Sequence, residues 1–167
     1  MRDRTEDEQF IAVVQAYRQD LYRTAYAFLK SEEAALEALQ EVTYRAYKKR
    51  KQIRQSNYTK TWLIRVMINY CQDVLRKQTR KPTMAYYDEM TDGSKDFSET
   101  LLLDWAIQEL REDEQTLIFL KYFHGYTYEE LAKHYEVAEG TLKSRIHVCL
   151  DKLRELLNEK KGGRHDG

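Results

Sequence analysis

The stretch of sequence that decides the architecture of this chain is TYEELAKHYEVAEGTLKSRIH, residues 127–147. Thr127 is a typical N-cap residue, and Glu130 three residues later completes the pattern of a capping box. A short helix, a turn at residues 135–137 and a second helix from about Glu139 follow. Two helices joined by so short a turn predict a helix-turn-helix, in which the small Ala132 lets the helices approach each other.

The second helix of this motif predicts a surface that reads duplex DNA. Leu142 and Ile146, with Val137 of the turn, are expected to close the core behind it. The polar side chains near its N-terminal end are Lys143, Ser144, Arg145 and His147. A recognition helix presents base-reading residues there; Arg can bind guanine through two hydrogen bonds, and Lys and Ser can hold phosphates. The helical hairpin alone leaves open a simpler interpretation, an amphipathic helix with a few solvated cations.

The rest of the chain is also helical in pattern. Apolar residues recur at three- and four-residue spacing over residues 10–29, 36–47 and 62–75, and this periodicity is typical of helices that bury one face. In the second of these stretches the pattern places Leu36 on the buried face, and Ser31 is positioned to cap the helix. We therefore predict an all-α fold.

Charge is distributed unevenly, although the 28 basic and 28 acidic residues cancel. Residues 43–82 carry 12 Lys and Arg against a single acid, whereas residues 83–116 carry 10 acids against two bases. Such asymmetry suggests separate surfaces for differently charged partners. Helical periodicity is lost over residues 83–100, a stretch that is long for a loop within one domain. We therefore predict two small helical domains, residues 6–82 and 101–160, joined by an acidic flexible linker at residues 83–100.

Three segments together resemble the extracytoplasmic-function sigma factors of bacterial RNA polymerase. EGTLKSR, residues 139–145, is similar to the G-T-V-K-S-R string of their promoter-reading C-terminal module. ALEALQEV, residues 35–42, is similar to their A-E-D-x-x-Q-E segment, and TWLIRVMIN, residues 61–69, to their T-W-L-x-R-I-A-x-N segment. Three motifs in the right order are more specific than any one of them alone.

The resemblance implies a protein that binds core RNA polymerase and directs promoter-specific initiation, with no enzymatic activity, cofactor or metal of its own. The residues implied for polymerase binding are Glu37, Gln40 and Glu41. The residues implied for −10 recognition and melting are Tyr58, Trp62, Arg65, Asn69, Arg76, Lys77 and Arg80. The second domain would read the −35 element through Lys143, Ser144, Arg145 and His147.

The chemistry of the N-terminal candidates supports this, because aromatic faces stack on unpaired bases and basic flanks neutralise the nucleic-acid backbone. Tyr58 lies in the polar break at residues 52–58 and is the better stacking candidate. The spacing of Trp62 also fits a core residue, which is the competing interpretation.

The chain departs from the family pattern at several positions. Leu36 replaces an acid, and Glu136 stands in a turn position that glycine often holds. A non-glycine residue in a left-handed turn costs about 1 kcal/mol. Val148 and Leu150 stand where members often carry arginine, so the second domain is less basic than usual.

Other classes of function have little support. There is no phosphate-binding glycine loop and no zinc-binding helix motif, so neither an enzyme nor a small-molecule substrate is expected. Cys71 and Cys149 are isolated and read as reduced core residues. The polar N-terminus and the absence of an 18-residue apolar run favour the cytoplasm.

Two further interpretations remain at this point. One is a stand-alone helix-turn-helix regulator that binds duplex DNA without polymerase; the other is an interaction protein that mimics sigma surfaces. Co-purification with core RNA polymerase distinguishes them from a sigma factor. Members of the family are usually held inactive by an anti-sigma factor, often membrane-bound, and the resemblance implies such a partner here.

Overall fold

The computed structural model describes residues 2–53, 59–78 and 95–163. The chain divides into an N-terminal unit, Met1–Thr79, and a C-terminal unit, Arg80–Gly167. The N-terminal unit contains α1 (Arg2–Leu29), α2 (Glu32–Lys48), α3 (Arg50–Ile53) and α4 (Thr59–Lys77). The C-terminal unit contains α5 (Lys95–Glu109), α6 (Glu112–Ile118), a π-helical turn (Phe119–Phe123), α7 (Tyr128–Tyr135) and α8 (Glu139–Gly163). The predicted all-α fold is confirmed.

None of the helices in the described ranges combines the length and the apolar character needed to cross a membrane. The predicted sites at Tyr58 and Arg80 lie outside the described residues. The same is true of residues 83–94 of the predicted linker, while its last six residues belong to α5.

The N-terminal unit is built from α1, α2 and α4, which pack against one another in pairs. The fully buried face of α2 includes Ala35, Ala38, Val42 and Ala46. These small side chains let the neighbouring helices come close, so the inward face of α2 is centred on them. Leu36 was predicted to face inward, and this is wrong: its side chain is 43% exposed.

The start of α2 is fixed by local hydrogen bonding. Ser31 has an extended backbone, and its hydroxyl accepts a hydrogen bond from the Ala34 N–H at 3.2 Å, as expected of an N-cap. Glu32 and Glu33 occupy the first turn, where carboxylates are favourable at the positive end of the helix dipole. The junction that precedes it turns at Lys30, which has φ 58°.

The C-terminal unit is organised around α8, which packs against α5, α6 and α7. Its most deeply buried large side chains are Leu120, Leu131, Leu142 and Ile146. They come from the π-helical turn, from α7 and from α8, so the hydrophobic contact that forms the core also fixes α8 against α7. This packing places the N-terminal part of α8 at a defined position next to α7.

Candidate nucleic-acid and polymerase interface

The helix-turn-helix predicted at residues 127–147 is formed by α7 and α8. The Thr127 hydroxyl accepts a hydrogen bond from the Glu130 N–H at 3.1 Å, which caps α7 as expected. Leu131 and Ala132 of α7 are buried, as are Leu142 and Ile146 of α8. The buried residues hold the two helices together and leave the opposite face of α8 in solvent.

The turn between the two helices is held in the left-handed conformation by Glu136, with φ 55° and ψ 45°. The N–H of Val137 donates to the Ala132 carbonyl at 3.0 Å, which is the hydrogen bond of a Schellman motif. Glycine is the usual residue here because it has no Cβ. The predicted departure from the family pattern is therefore a strained position in this chain.

The polar face of α8 agrees with the sequence prediction. Its exposed residues near the N-terminal end include all four candidates for duplex reading, Lys143, Ser144, Arg145 and His147. Leu142, Ile146 and Cys149 define the buried direction. With about 100° of rotation per residue, Ser144 lies almost opposite that direction, and Lys143 and Arg145 lie on either side of it. Together they form a surface with a polar centre flanked by cations.

The structure adds Lys121 and Tyr128 to this surface, and the sequence interpretation did not include them. The Lys121 ammonium lies 4.5 Å from the centroid of the Tyr128 ring, and the Lys143 ammonium lies 5.8 Å from the same centroid. Both distances suit a cation–π contact. One aromatic ring thus brings together a cation from the π-helical turn and a cation from the recognition helix. No periodicity links these residues, because the break at residues 124–126 separates them.

Candidates for single-strand capture share one outward stripe of α4. Trp62, Arg65, Asn69 and Arg76 follow one another at intervals of three, four and seven residues, which keeps them within about 60° around the helix axis. Asn69 and Arg76 are exposed, whereas Trp62 and Arg65 are half-buried. Lys77 is exposed beside the stripe. The structure therefore groups these five candidates on a single helix face.

One acid lies within this stripe. Asp73 forms an ion pair with Arg76 three residues later. Because both side chains are about half exposed to solvent, the pair is a surface interaction of modest strength. It nevertheless reduces the positive charge that the stripe offers to a phosphate backbone.

One cation of the basic stretch at residues 43–82 makes contacts within the N-terminal unit. The Arg50 guanidinium lies 3.2 Å from the Asp7 carboxylate of α1 and 4.1 Å from the centroid of the Tyr47 ring. Its NH1 also donates to the Tyr47 carbonyl at 3.0 Å. Arg50 therefore joins α3 to α1 and α2, and its charge is partly neutralised within the N-terminal unit.

The three candidates for polymerase binding lie on the outer side of α2. Glu37 and Gln40 are exposed, and Glu41 is half-buried at the edge of this face. The Glu41 carboxylate accepts a hydrogen bond from Arg45 Nε at 3.2 Å. The Arg45 guanidinium in turn lies 5.2 Å from the centroid of the Tyr70 ring of α4. Glu41 is thus paired with Arg45, which itself contacts α4, while Glu37 and Gln40 are exposed.

Metal or thiol chemistry has no support in the described ranges. No group of three potential metal-binding side chains occurs among those residues. Cys71 and Cys149 are both buried. Burial raises the pKa of the Cys71 thiol to about 12 and that of the Cys149 thiol to about 11, so both remain protonated near neutral pH.

Each of the two units contains a segment that matches a known protein family. Residues 13–81 match Sigma-70 region 2, and residues 106–155 match Sigma-70, region 4.

Individual relatives align along most of their length. The chain is 25% identical over 155 residues to the RNA polymerase sigma factor SigV of Bacillus subtilis, with 92% of this chain and 93% of that protein covered. It is 26% identical over 150 residues to the ECF RNA polymerase sigma factor SigM of Mycobacterium tuberculosis, with 89% and 76% covered. The fold is similar to that of the sigma factor RpoE of Bartonella quintana, solved in complex with the anti-sigma factor NepR. The TM-score is 0.57 at 22% identity, over 90% of this chain and 98% of that chain.

Proposed function

Because this chain belongs to the extracytoplasmic-function family of sigma factors, we propose that its exposed helix faces divide the recognition of one promoter between them. The protein directs promoter-specific transcription initiation by RNA polymerase. Its partners are core RNA polymerase and promoter DNA. The observation that carries the assignment of roles is the order of the two sigma regions along the chain. Each matched region contains a helix with an exposed polar or charged face.

The second predicted domain, residues 101–160 of the C-terminal unit, reads the −35 element as duplex. Arg145 contacts a base edge or an adjacent phosphate, with Ser144 and His147 beside it. Lys143 contacts the backbone, and Lys121 joins it because both cations lie against the Tyr128 ring. Contacts to phosphate position the helix, whereas contacts to base edges supply sequence discrimination.

The first predicted domain, residues 6–82, captures the melted −10 strand along the outward stripe of α4. We propose that Trp62 and Asn69 meet exposed bases, while Arg65, Arg76 and Lys77 neutralise the backbone. We extend this surface to Tyr58 and Arg80 on the sequence pattern alone. The acidic segment at residues 83–100 connects these two domains, and its last six residues belong to α5.

The exposed face of α2 binds core polymerase in this proposal. Glu37 and Gln40 form its centre, and Glu41 lies at its edge, where it accepts a hydrogen bond from Arg45. A carboxylate pair on an exposed helix face suits a basic partner surface through charge complementarity.

We propose that the protein works in the cytoplasm, where core polymerase and the chromosome are found. The RpoE relative was solved with an anti-sigma factor. On that likeness we propose an anti-sigma partner for this chain as well.

In vitro transcription tests the proposal. Core polymerase is incubated with genomic fragments, with and without the full-length protein, and transcripts are mapped. Protein-dependent start sites support the sigma assignment, and Asn69→Ala should reduce permanganate reactivity at those sites more than it reduces closed-complex formation. A protein that shifts promoter duplex unaided and gives no new transcripts with core polymerase would be a stand-alone regulator. That alternative is not favoured, because the N-terminal unit matches sigma region 2.

A further inference from the structure

The recognition helix carries one apolar side chain in the middle of its polar face. Val148 is 52% exposed. Among the described side chains of α8, no other large hydrophobic side chain is exposed. Its neighbours Ile146 and Cys149 are buried, so the core of the C-terminal unit is closed without it. A β-branched residue at an exposed helix position also has lower helix propensity than alanine or arginine. Neither packing nor helix stability accounts for a valine here.

The position of Val148 is that of a residue able to reach a base. It follows Ser144 by four residues and Arg145 by three, which places it about 40° and 60° from them around the helix axis. Along the axis it lies about 6 Å beyond Ser144 and about 4.5 Å beyond Arg145. The three side chains therefore form a compact triangle on the outer surface of α8. A helix that inserts Ser144 and Arg145 into the major groove brings Val148 to the groove floor or its wall.

The chemistry of the major groove limits what valine can bind. Guanine, cytosine and adenine present hydrogen-bond donors and acceptors there, whereas thymine also presents its C5 methyl group. Valine has no donor or acceptor, so it would leave polar base edges without a partner. Contact with a thymine methyl instead removes apolar surface of both groups from water.

We propose that Val148 is a specificity-determining residue that contacts the C5 methyl group of a thymine in the upstream promoter element. This inference rests on the proposed reading of the −35 duplex by α8 and adds the identity of one base pair. An arginine at this position would favour guanine through its N7 and O6 atoms. The valine replaces that preference with an apolar contact, and it adds no salt dependence to binding.

The test removes one methyl group from the DNA and the matching side chain from the protein. Holoenzyme made from core polymerase and the full-length chain is used to select preferred upstream sequences from a randomised promoter library. Each selected thymine is then replaced singly by deoxyuracil, which lacks only the methyl group. Promoter affinity is measured for wild type, Val148→Ala and Val148→Ile. Leu103→Ala is the matched control, because Leu103 is a comparably exposed apolar residue that belongs to α5 and not to the recognition helix.

We expect deoxyuracil at one position to lower wild-type affinity about threefold to fivefold, as for the loss of one buried methyl group. Val148→Ala should be insensitive to that replacement, while Val148→Ile and the Leu103→Ala control should remain sensitive. The proposal is overturned if the selected element has no thymine, or if wild type and Val148→Ala respond equally to every replacement. Arg145→Ala and Lys143→Ala are measured in parallel. If they also leave promoter affinity unchanged, the proposed −35 reading itself fails.

Discussion

The Glu114 carboxylate of α6 accepts a 2.8 Å hydrogen bond from the Lys152 ammonium of α8, a residue 38 positions later in the chain. The Glu114 side chain is only 6% exposed. Its other oxygen accepts the Arg111 N–H at 3.1 Å, which completes the cap of α6. One buried carboxylate therefore ties the start of α6 to the middle of the recognition helix.

This pair makes the stability of the C-terminal unit dependent on pH. Burial opposes ionisation of Glu114, but the hydrogen bonds from Lys152 and the Arg111 N–H, with the charges of both residues, outweigh it and lower the pKa of the carboxyl. A group whose pKa is lower in the folded state stabilises the fold above its unfolded pKa. That contribution is lost as the pH falls through the folded pKa.

We expect Glu114→Gln to lower the free energy of unfolding by about 1.5–3 kcal/mol at neutral pH, the range for a hydrogen bond to a charged group. The difference from wild type should shrink under acid conditions, where Glu114 is protonated. Denaturation followed by Trp105 fluorescence in a Trp62→Phe background measures this. Asp113→Asn is the control, because Asp113 occupies the same first turn but is exposed. A pH-independent difference would contradict the role of the charge.

The left-handed residue of the helix-turn-helix offers a stabilising substitution. Glu136 has φ 55°, where a side chain is strained, so Glu136→Gly should raise the free energy of unfolding by about 1 kcal/mol. Glu155→Gly, at an exposed position in the interior of α8, should lower it by a similar amount because glycine weakens a helix interior. Denaturant midpoints of both variants provide the measurement. Destabilisation by Glu136→Gly would show that the glutamate side chain contributes more than its backbone strain costs.

The two lysines that share the Tyr128 ring should contribute to DNA affinity without specificity. We expect Lys121→Gln to weaken binding of the holoenzyme to all promoter variants alike and to reduce the slope of log affinity against log salt by about 1. The control is Lys133→Gln, since Lys133 is ion-paired with Glu129 at 3.1 Å in α7. If Lys121→Gln and Lys133→Gln behave alike, the Lys121 contact is not made.

Because Asp73 and Arg76 form an ion pair on α4, we expect their replacement to change the affinity for −10 DNA in opposite directions. Arg76→Gln should weaken binding to single-stranded −10 DNA, because a phosphate contact is lost. Asp73→Asn should strengthen it, by less than about 1 kcal/mol, since the exposed pair no longer competes for Arg76. Binding of the holoenzyme to fork-junction DNA with an exposed −10 strand measures both. Weaker binding by Asp73→Asn would mean that the carboxylate itself contacts the DNA.

The outer face of α2 can be tested by reversing its charge. The double variant Glu37→Lys and Glu41→Lys should reduce affinity for core polymerase by at least tenfold, while circular dichroism stays unchanged because both residues lie outside the core. Glu8→Lys on α1 makes the same kind of charge change at another exposed site of the N-terminal unit. Unchanged affinity in the double variant would remove this face from the polymerase contact.

Features that depend on neighbouring residues could be predicted from the sequence. Helix periodicity gave the all-α fold, and the caps at Ser31 and Thr127 were predicted because an N-cap involves residues only three positions apart. The left-handed turn at Glu136 was expected from the family pattern, and the exposed face with Arg145 follows from helix periodicity. Sequence alone thus determined the long helices, the helix-turn-helix and the exposed polar residues of its second helix.

Tertiary packing decided the rest. Leu36 was assigned to the core because hydrophobic periodicity treats leucine and alanine alike, but close helix contacts centred the buried face on Ala35 and Ala38. The contact between Glu114 and Lys152 and the shared ring of Tyr128 join residues from different helices. Such contacts depend on how the apolar faces dock, because side chains distant in sequence meet only when the core between them has formed.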